Sequence, residues 1–325
     1  MQASPALALL AIARSDGSII IHDVRCDKEI LRLSSKSSGS ANITSISFRT
    51  DGLGAGEDGR KAGVMATAGA DNGDVTLWDL NEGGRVMGVL RDAHDPPSPS
   101  RGQVSGGISR AEFLPGQPVL VTSGLDNALK SWIFDETPFS PIPRVLHTRG
   151  GHAAPITRLD FLPAEADGAD AVGKWILSAG RDRSLWGWSI RRDAQSTELS
   201  QGNIRKKARK LGMLGRGLDT ENSASLEDLK APEIICMACS LNRDGGMGAS
   251  TGGGAVWANV SNKKSKTDSN NGPTGWESIV TGHRGDKYAR TWFWGRKKAG
   301  RWAFETGDGS EVKVYYFRWV FPNLC

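Results

Sequence analysis

The sequence predicts an all-β chain assembled from a repeated antiparallel unit, and three observations predict it. An Asp or Asn stands six residues before an aromatic residue or a His in five pairs: Asp16/His22, Asn72/Trp78, Asp126/Trp132, Asp182/Trp188 and Asp286/Trp292. The text around the pairs is alike: ARSDGSIIIHDV, GADNGDVTLWDL, GLDNALKSWIFD, GRDRSLWGWSI and HRGDKYARTWFW. Each pair lies among short runs of β-branched and aromatic residues bounded by Gly, Pro, Asn and Asp, the pattern of strands joined by tight turns. The 41 glycines among 325 residues suit such a chain.

Gly151 to Ile190 is the clearest copy. It opens on Gly151-His152, carries Ser178 and Asp182, and closes on Trp188. Apolar runs at Ile156 to Leu162, Trp175 to Ala179 and Ser184 to Ile190 read as three strands. This arrangement resembles a WD repeat, one four-stranded blade of a WD40-type β-propeller. The resemblance implies that His152 bonds Asp182 in the turn between two strands, with Ser178 and Trp188 completing a buried, satisfied network. The closing positions lie 54–56 residues apart until Trp188, and the last interval is nearly double. Both exceed the usual blade period of about 40–45, so the blades carry insertions.

The elements follow in order. Residues 7 to 33 give two strands around Ser15-Asp16-Gly17 and a third through Leu31 and Leu33; the unit starts part-way through its pattern, so blades upstream are expected. Ile43 to Phe48, Val64 to Ala68 and Val75 to Leu80 are strands of the second unit, interrupted by a Gly-rich insertion. The Pro/Ser/Gly stretch HDPPSPSRGQVSGG is a loop, and residues 108 to 146 repeat the plan. Four blades are thus expected over 7–190, then a basic and polar connection over 191–231 with room for a short helix. A further blade is expected over 232–305, with a low-complexity insertion over 242–275 read as disordered. Residues 314–325 do not continue the pattern and read as a truncated or altered terminus.

Composition narrows the function classes. The net charge is +5 and the four cysteines form no disulfide framework, which points to a reducing compartment. No apolar run is long enough to span a membrane, and Ala6 to Ala13 reads as a strand rather than a signal-peptide core because no Lys or Arg precedes it. Cys236 and Cys239 have CxxC spacing but would face opposite sides of a strand, and no second pair accompanies them, so no metal site is assigned. Gly168 to Lys174 spells GxxxxGK, with Trp175 where a phosphate loop needs Ser or Thr. Arg284-Gly285-Asp286 is an RGD triplet in a blade turn. His283 lies too close to Asp286 to be a start-of-blade His, while His22, His94 and His152 have blade roles or lie at blade edges. Asn42-Ile-Thr44 and Asn259-Val-Ser261 are glycosylation sequons. No catalytic residues, cofactor or small-molecule substrate is expected.

The best candidate for a binding function is the run Arg205, Lys206, Lys207, Arg209 and Lys210. Five cations so close together can neutralise several phosphates and release counterions. They can equally form a nuclear-import signal or a solvated charge cluster. Runs at Lys263, Lys264, Lys266 and at Arg296, Lys297, Lys298, Arg301 could extend the same surface.

The segments ITSISFRTDG, GDVTLWDL, FLPGQPVLVTSGLDNALKSWIFD, ILSAGRDRSL, ELSQGNIRKKARK and GHRGDKYARTW together resemble one family, over about residues 7 to 313. It is the WD-repeat subunit of the small-subunit processome, numbered twenty-one in the small-nucleolar-RNA-associated series and thirty-six in the human WD-repeat series. The resemblance implies two tandem propellers and a helical C-terminal region, of which this chain holds an internal part. It implies a nucleolar, nuclear scaffold for small-subunit rRNA processing, with other WD-repeat and helical subunits, pre-ribosomal RNA and small nucleolar RNA as partners. The alternative is a WD-repeat adaptor that recruits protein substrates, for example to a ubiquitin ligase.

Overall fold

The computed structural model describes residues 1–4, 7–34, 42–51, 63–96, 106–135, 140–162, 175–200, 204, 208, 229–240, 277–294 and 297–305. The described strands form five antiparallel sheets of four strands each. The first blade is β1 (Gln2–Ala3), β2 (Leu9–Ala13), β3 (Ile19–Asp23) and β4 (Lys28–Leu33). The second is β5 (Ile43–Phe48), β6 (Val64–Gly69), β7 (Val75–Asp79) and β8 (Arg85–Leu90). The third is β9 (Ile108–Phe113), β10 (Val119–Gly124), β11 (Leu129–Ile133) and β12 (Arg144–Arg149). The fourth is β13 (Ile156–Leu162), β14 (Trp175–Gly180), β15 (Leu185–Ser189) and β16 (Ser196–Glu198). The fifth is β17 (Ile234–Cys239), β18 (Ile279–His283), β19 (Tyr288–Phe293) and β20 (Lys298–Glu305).

Two strands differ from the sequence reading. β1 gives the first blade a fourth strand, and β16 completes the fourth blade inside what reads as the start of the connection. Both are too short to carry an alternating pattern, so nothing in their residues announces them. Of residues 201–228 only Ile204 and Ala208 are described, both helical, with Ala208 buried.

The chain divides into two compact units, residues 1–159 and residues 160–318. In each unit the core lies between blades, because a strand with two apolar faces must be covered on both. In the first unit Ile19, Ile21 and Leu33 share a core with Met65 and Trp78. Val75, Leu77 and Leu90 share another with Leu120, Trp132 and Phe134. In the second unit Leu177, Leu185 and Leu199 pack with Ile234, Ile279 and Trp294. β6, β10 and β14, second in their sheets, are buried along their whole length.

Candidate functional site

The residues picked out by repetition meet in the hairpin between the second and third strands of each blade. Every hairpin opens with an Asx turn. The side-chain oxygen of Asp16, Asn72, Asp126, Asp182 and Asp286 accepts the backbone N–H two residues on, from Ser18, Asp74, Ala128, Ser184 and Tyr288 respectively. Asp and Asn are suited to this because the short side chain can imitate a backbone turn. The following residue takes a left-handed conformation in three blades, at Gly17 (φ 77°), Asn127 (φ 69°) and Arg183 (φ 60°).

The closing aromatic serves the same hairpin from inside. In four blades the Trp indole N–H donates to a hydroxyl on the second strand. The pairs are Trp78 to Thr67 (2.8 Å), Trp132 to Thr122 (2.9 Å), Trp188 to Ser178 (2.7 Å) and Trp292 to Thr281 (2.7 Å). All four tryptophans are buried, so an unbonded indole N–H would be costly.

The third blade carries the longest network. His94 Nδ1 lies 3.0 Å from Asp126, and its Nε2 lies 2.8 Å from the Thr122 hydroxyl. The carboxylate can only accept, which selects the His94 tautomer with Nδ1–H donating to Asp126; in that tautomer Nε2 accepts the Thr122 proton while Thr122 accepts from Trp132. Burial would raise the Asp126 carboxyl, but His94 and the N–H groups of Ala128 and Asp95 outweigh it and hold it below the ordinary carboxylate value.

The fifth blade reaches the same end by another route. His283 lies on β18 itself, accepts the Thr281 hydroxyl at Nε2 (2.9 Å) and donates from Nδ1 to the Pro232 carbonyl (2.7 Å). Burial pushes its pKa down, against the pull of the Pro232 carbonyl, which favours the neutral ring this pattern requires. It is not a start-of-blade His, yet it takes that residue's part. Asp286 is released to bond Arg290 at 2.6 Å. The RGD triplet is therefore engaged at both ends, since Arg284 pairs with Glu233.

The first blade departs furthest. His22 stands where the others have Trp, is 27% exposed, and bonds Asp27 at 2.9 Å. Ile12 pairs with Ile20 as Thr67 pairs with Thr76, so the hydroxyl and its indole donor are missing together. In the fourth blade Ser178 and Trp188 are bonded and buried, and Asp182 is half-buried because its carboxylate caps an exposed hairpin. His152 is buried.

A second set of hydroxyls, unremarked in the sequence reading, joins neighbouring first strands within the first unit. Thr44 donates to the Ile108 carbonyl (2.6 Å) and Ser45 to Ala111 (2.9 Å), while Ser47 accepts the Phe113 N–H (2.9 Å). Ser109 donates to Ile156. β9 is an edge strand, and these bonds satisfy backbone groups that its own sheet leaves free. The three hydroxyls of ITSISF, Thr44, Ser45 and Ser47, were the available signal.

Arg205, Lys206, Lys207, Arg209 and Lys210 lie outside the described residues, as do Lys263, Lys264, Lys266, Arg296, the GxxxxGK stretch and Asn259. Lys297 corrects an expectation. Its nitrogen sits 2.8 Å from the centre of the Trp294 ring and 5.1 Å from that of Trp175, and burial pushes its pKa down to about 6, so it does not extend a cationic surface. Cys239 is held protonated by burial and by Asp160, unlike a metal thiolate, and no metal-binding cluster occurs among the described residues.

Comparison with known proteins follows the same outline. Residues 1–135 match the family model described as WDR36/Utp21 first beta-propeller. The chain is 32% identical over 318 residues to U3 small nucleolar RNA-associated protein 21 of Saccharomyces cerevisiae, covering 95% of this chain and 27% of that protein. It is 31% identical over 310 residues to the homolog in Schizosaccharomyces pombe, covering 95% of this chain and 26% of that one. WD repeat-containing protein 36 of Homo sapiens is 34% identical over 207 residues, 64% of this chain and 19% of that protein. The solved chain described as "Structure of U3-55K" superposes with a TM-score of 0.51 at 14% identity, over 92% of this chain and 61% of that one, a likeness of fold alone. The chain thus spans about a quarter of the length of the two yeast proteins.

Proposed function

Because the chain belongs to the WDR36/Utp21 family, of whose members it spans a part, we propose that it is a non-enzymatic scaffold of the small-subunit processome, acting in small-subunit rRNA processing in the nucleolus. The observation that carries this reading is the 32% identity to U3 small nucleolar RNA-associated protein 21 along 95% of the chain. The geometry supports it. Blades whose hairpins are fixed from inside by bonded Trp, Thr and His side chains offer rigid turns and rims to partners, with little need of motion. Its partners are other WD-repeat and helical subunits, with U3 small nucleolar RNA and pre-ribosomal RNA in the same particle. Purification of the tagged chain from cells tests this: U3 small nucleolar RNA is expected to co-purify well above the level seen with an unrelated propeller. Recovery of ubiquitin-ligase subunits without that RNA would replace the scaffold with an adaptor.

Within this reading the run Arg205, Lys206, Lys207, Arg209 and Lys210 makes phosphate contacts that are blind to base sequence. Changing all five to Gln is expected to weaken RNA binding equally across sequences. It should also flatten the salt dependence by about 0.7–0.9 log units per lost contact. Titrations at several salt concentrations measure it; equal slopes for the two proteins would remove the contact, and loss of nuclear entry alone would assign the run to import.

A further inference from the structure

The hairpin of the fourth blade differs from its counterparts in what it presents to solvent. Its tip is Gly180-Arg181-Asp182-Arg183, and both arginines are exposed. The other tips either lack cations, as around Asn72 and Asp126, or pair them. Arg14 lies 3.6 Å from Asp16 in the first blade. In the fifth, Arg284 pairs with Glu233 at 2.8 Å and Lys287 with Glu305 at 2.6 Å. The side chains of Arg181 and Arg183 make no ion pair or hydrogen bond among the described residues. Asp182 stands between them and pairs with neither, its carboxylate turning back to accept the Ser184 N–H (3.1 Å).

The tip is held rigidly. The Gly180 N–H bonds the Ser184 carbonyl, the Leu185 N–H bonds the Ser200 hydroxyl, and Trp188 is anchored to Ser178 beneath it. Arg183 takes a left-handed conformation (φ 60°) at the step where Gly17 and Asn127 stand in the first and third blades. Gly and Asn adopt that conformation readily, whereas a long side chain is strained in it, and strain of this kind collects at binding sites. We propose that Arg181 and Arg183 form a two-pronged clamp on the phosphodiester backbone of a single RNA strand, which rests on the reading above that RNA is a partner. A guanidinium presents paired N–H donors that match a phosphate, and two of them on one rigid tip can hold neighbouring phosphates. The tip carries no aromatic ring on which a base could stack, so the contact is blind to sequence. It carries no apolar anchor either, which an acidic protein segment would need for a stable contact.

Fluorescence anisotropy of the 325-residue chain with a labelled single-stranded RNA of mixed sequence tests this. Changing Arg181→Gln and Arg183→Gln together should weaken binding by on the order of tenfold at about 0.1 M salt. It should lower the slope of log affinity against log salt by about 1.4, the share of two single-strand phosphate contacts. The loss should be equal across RNA sequences. It should recur in a protein already carrying Gln at Arg205, Lys206, Lys207, Arg209 and Lys210. Arg183→Gly removes one prong and relieves the strain, so it should melt no lower than wild type while lowering the slope by about 0.7. That variant separates binding from folding. Equal affinity and slope for wild type and the double variant, no affinity for the RNA, or a wild-type preference for polyglutamate over RNA would overturn the proposal. Recovery of U3 small nucleolar RNA from cells is read separately. With that RNA recovered and the slopes equal, the clamp falls and the scaffold stands; with the slope lowered and that RNA absent, the scaffold falls and the clamp stands.

Discussion

At Thr122 one hydroxyl serves two buried groups, accepting from Trp132 and donating to His94. Thr122→Val keeps the shape and removes both bonds, leaving an indole N–H and an imidazole nitrogen unpaired. The expected cost is about 2–3 kcal/mol, read as a lower urea midpoint; an unchanged midpoint would show that the network carries no stability. Lys297 is the opposite case, a residue whose removal should help. Its amine is buried with a folded pKa of about 6 against 10.5 when free. Between those values the unfolded chain binds the extra proton, so stability rises with pH across that window and the native state is penalised at pH 7. Lys297→Met is expected to raise the unfolding midpoint at pH 7 and to abolish the rise in stability from pH 6 towards pH 10.5. Melts at four or five pH values decide it, and a variant less stable at pH 7 would mean that contact with the Trp294 face outweighs burial.

The hairpin is the element in which these residues act. In the first, second, third and fifth blades the ladder between third and outer strands slips at the step onto the closing residue, after Ile21, Leu77, Ser131 and Arg290. The outer strand carries one extra residue there in the first three blades and two in the fifth, which increases the local twist. The first blade keeps the slip but lacks both partners, with His22 for Trp and Ile12 for Thr. The double variant Ile12→Thr, His22→Trp should therefore exceed the sum of its single changes by about 1 kcal/mol in a double-mutant cycle. Strict additivity would mean that the first blade has repacked around its own solution. The five hairpins were legible because the Asx turn and the aromatic six residues on are local signals. His94 was only half legible, since Ala93 rather than Gly precedes it and its partner Asp126 lies beyond the Pro/Ser/Gly loop. His283 was read correctly by position and incompletely by role, because a backbone carbonyl as acceptor leaves no mark in a sequence.

Across the molecule, burial grades along each blade. β6, β10 and β14 are buried throughout, while β4 begins with three exposed residues and β16 has none fully buried. Amide exchange is expected to follow that grading, slowest in the second strands and fastest in the outer ones, since opening an outer strand uncovers little apolar surface. Hydrogen-exchange mass spectrometry resolves this, and equal protection of β4 and β6 would show that each blade opens only as a whole. The hydroxyl bonds from Thr44, Ser45 and Ser47 to the edge of β9 should add protection to the first strands of the first unit beyond what their burial alone confers.

One hairpin also bears on how the molecule ages. Alone among the five it starts with Asn, and Asn72 is followed by Gly73, a pair in which no side chain shields the amide carbon from attack by the next backbone nitrogen. Loss of ammonia through the cyclic imide has two products. Aspartate at position 72 would keep the turn, because the other four hairpins already fold around that residue. Isoaspartate would lengthen the main chain by a methylene beside Gly73, where a Cβ would already collide with the His94 carbonyl. Old preparations should thus hold a harmless acidic variant and a second, structurally damaged one of the same mass, whose lesion lies next to the histidine that anchors the third blade.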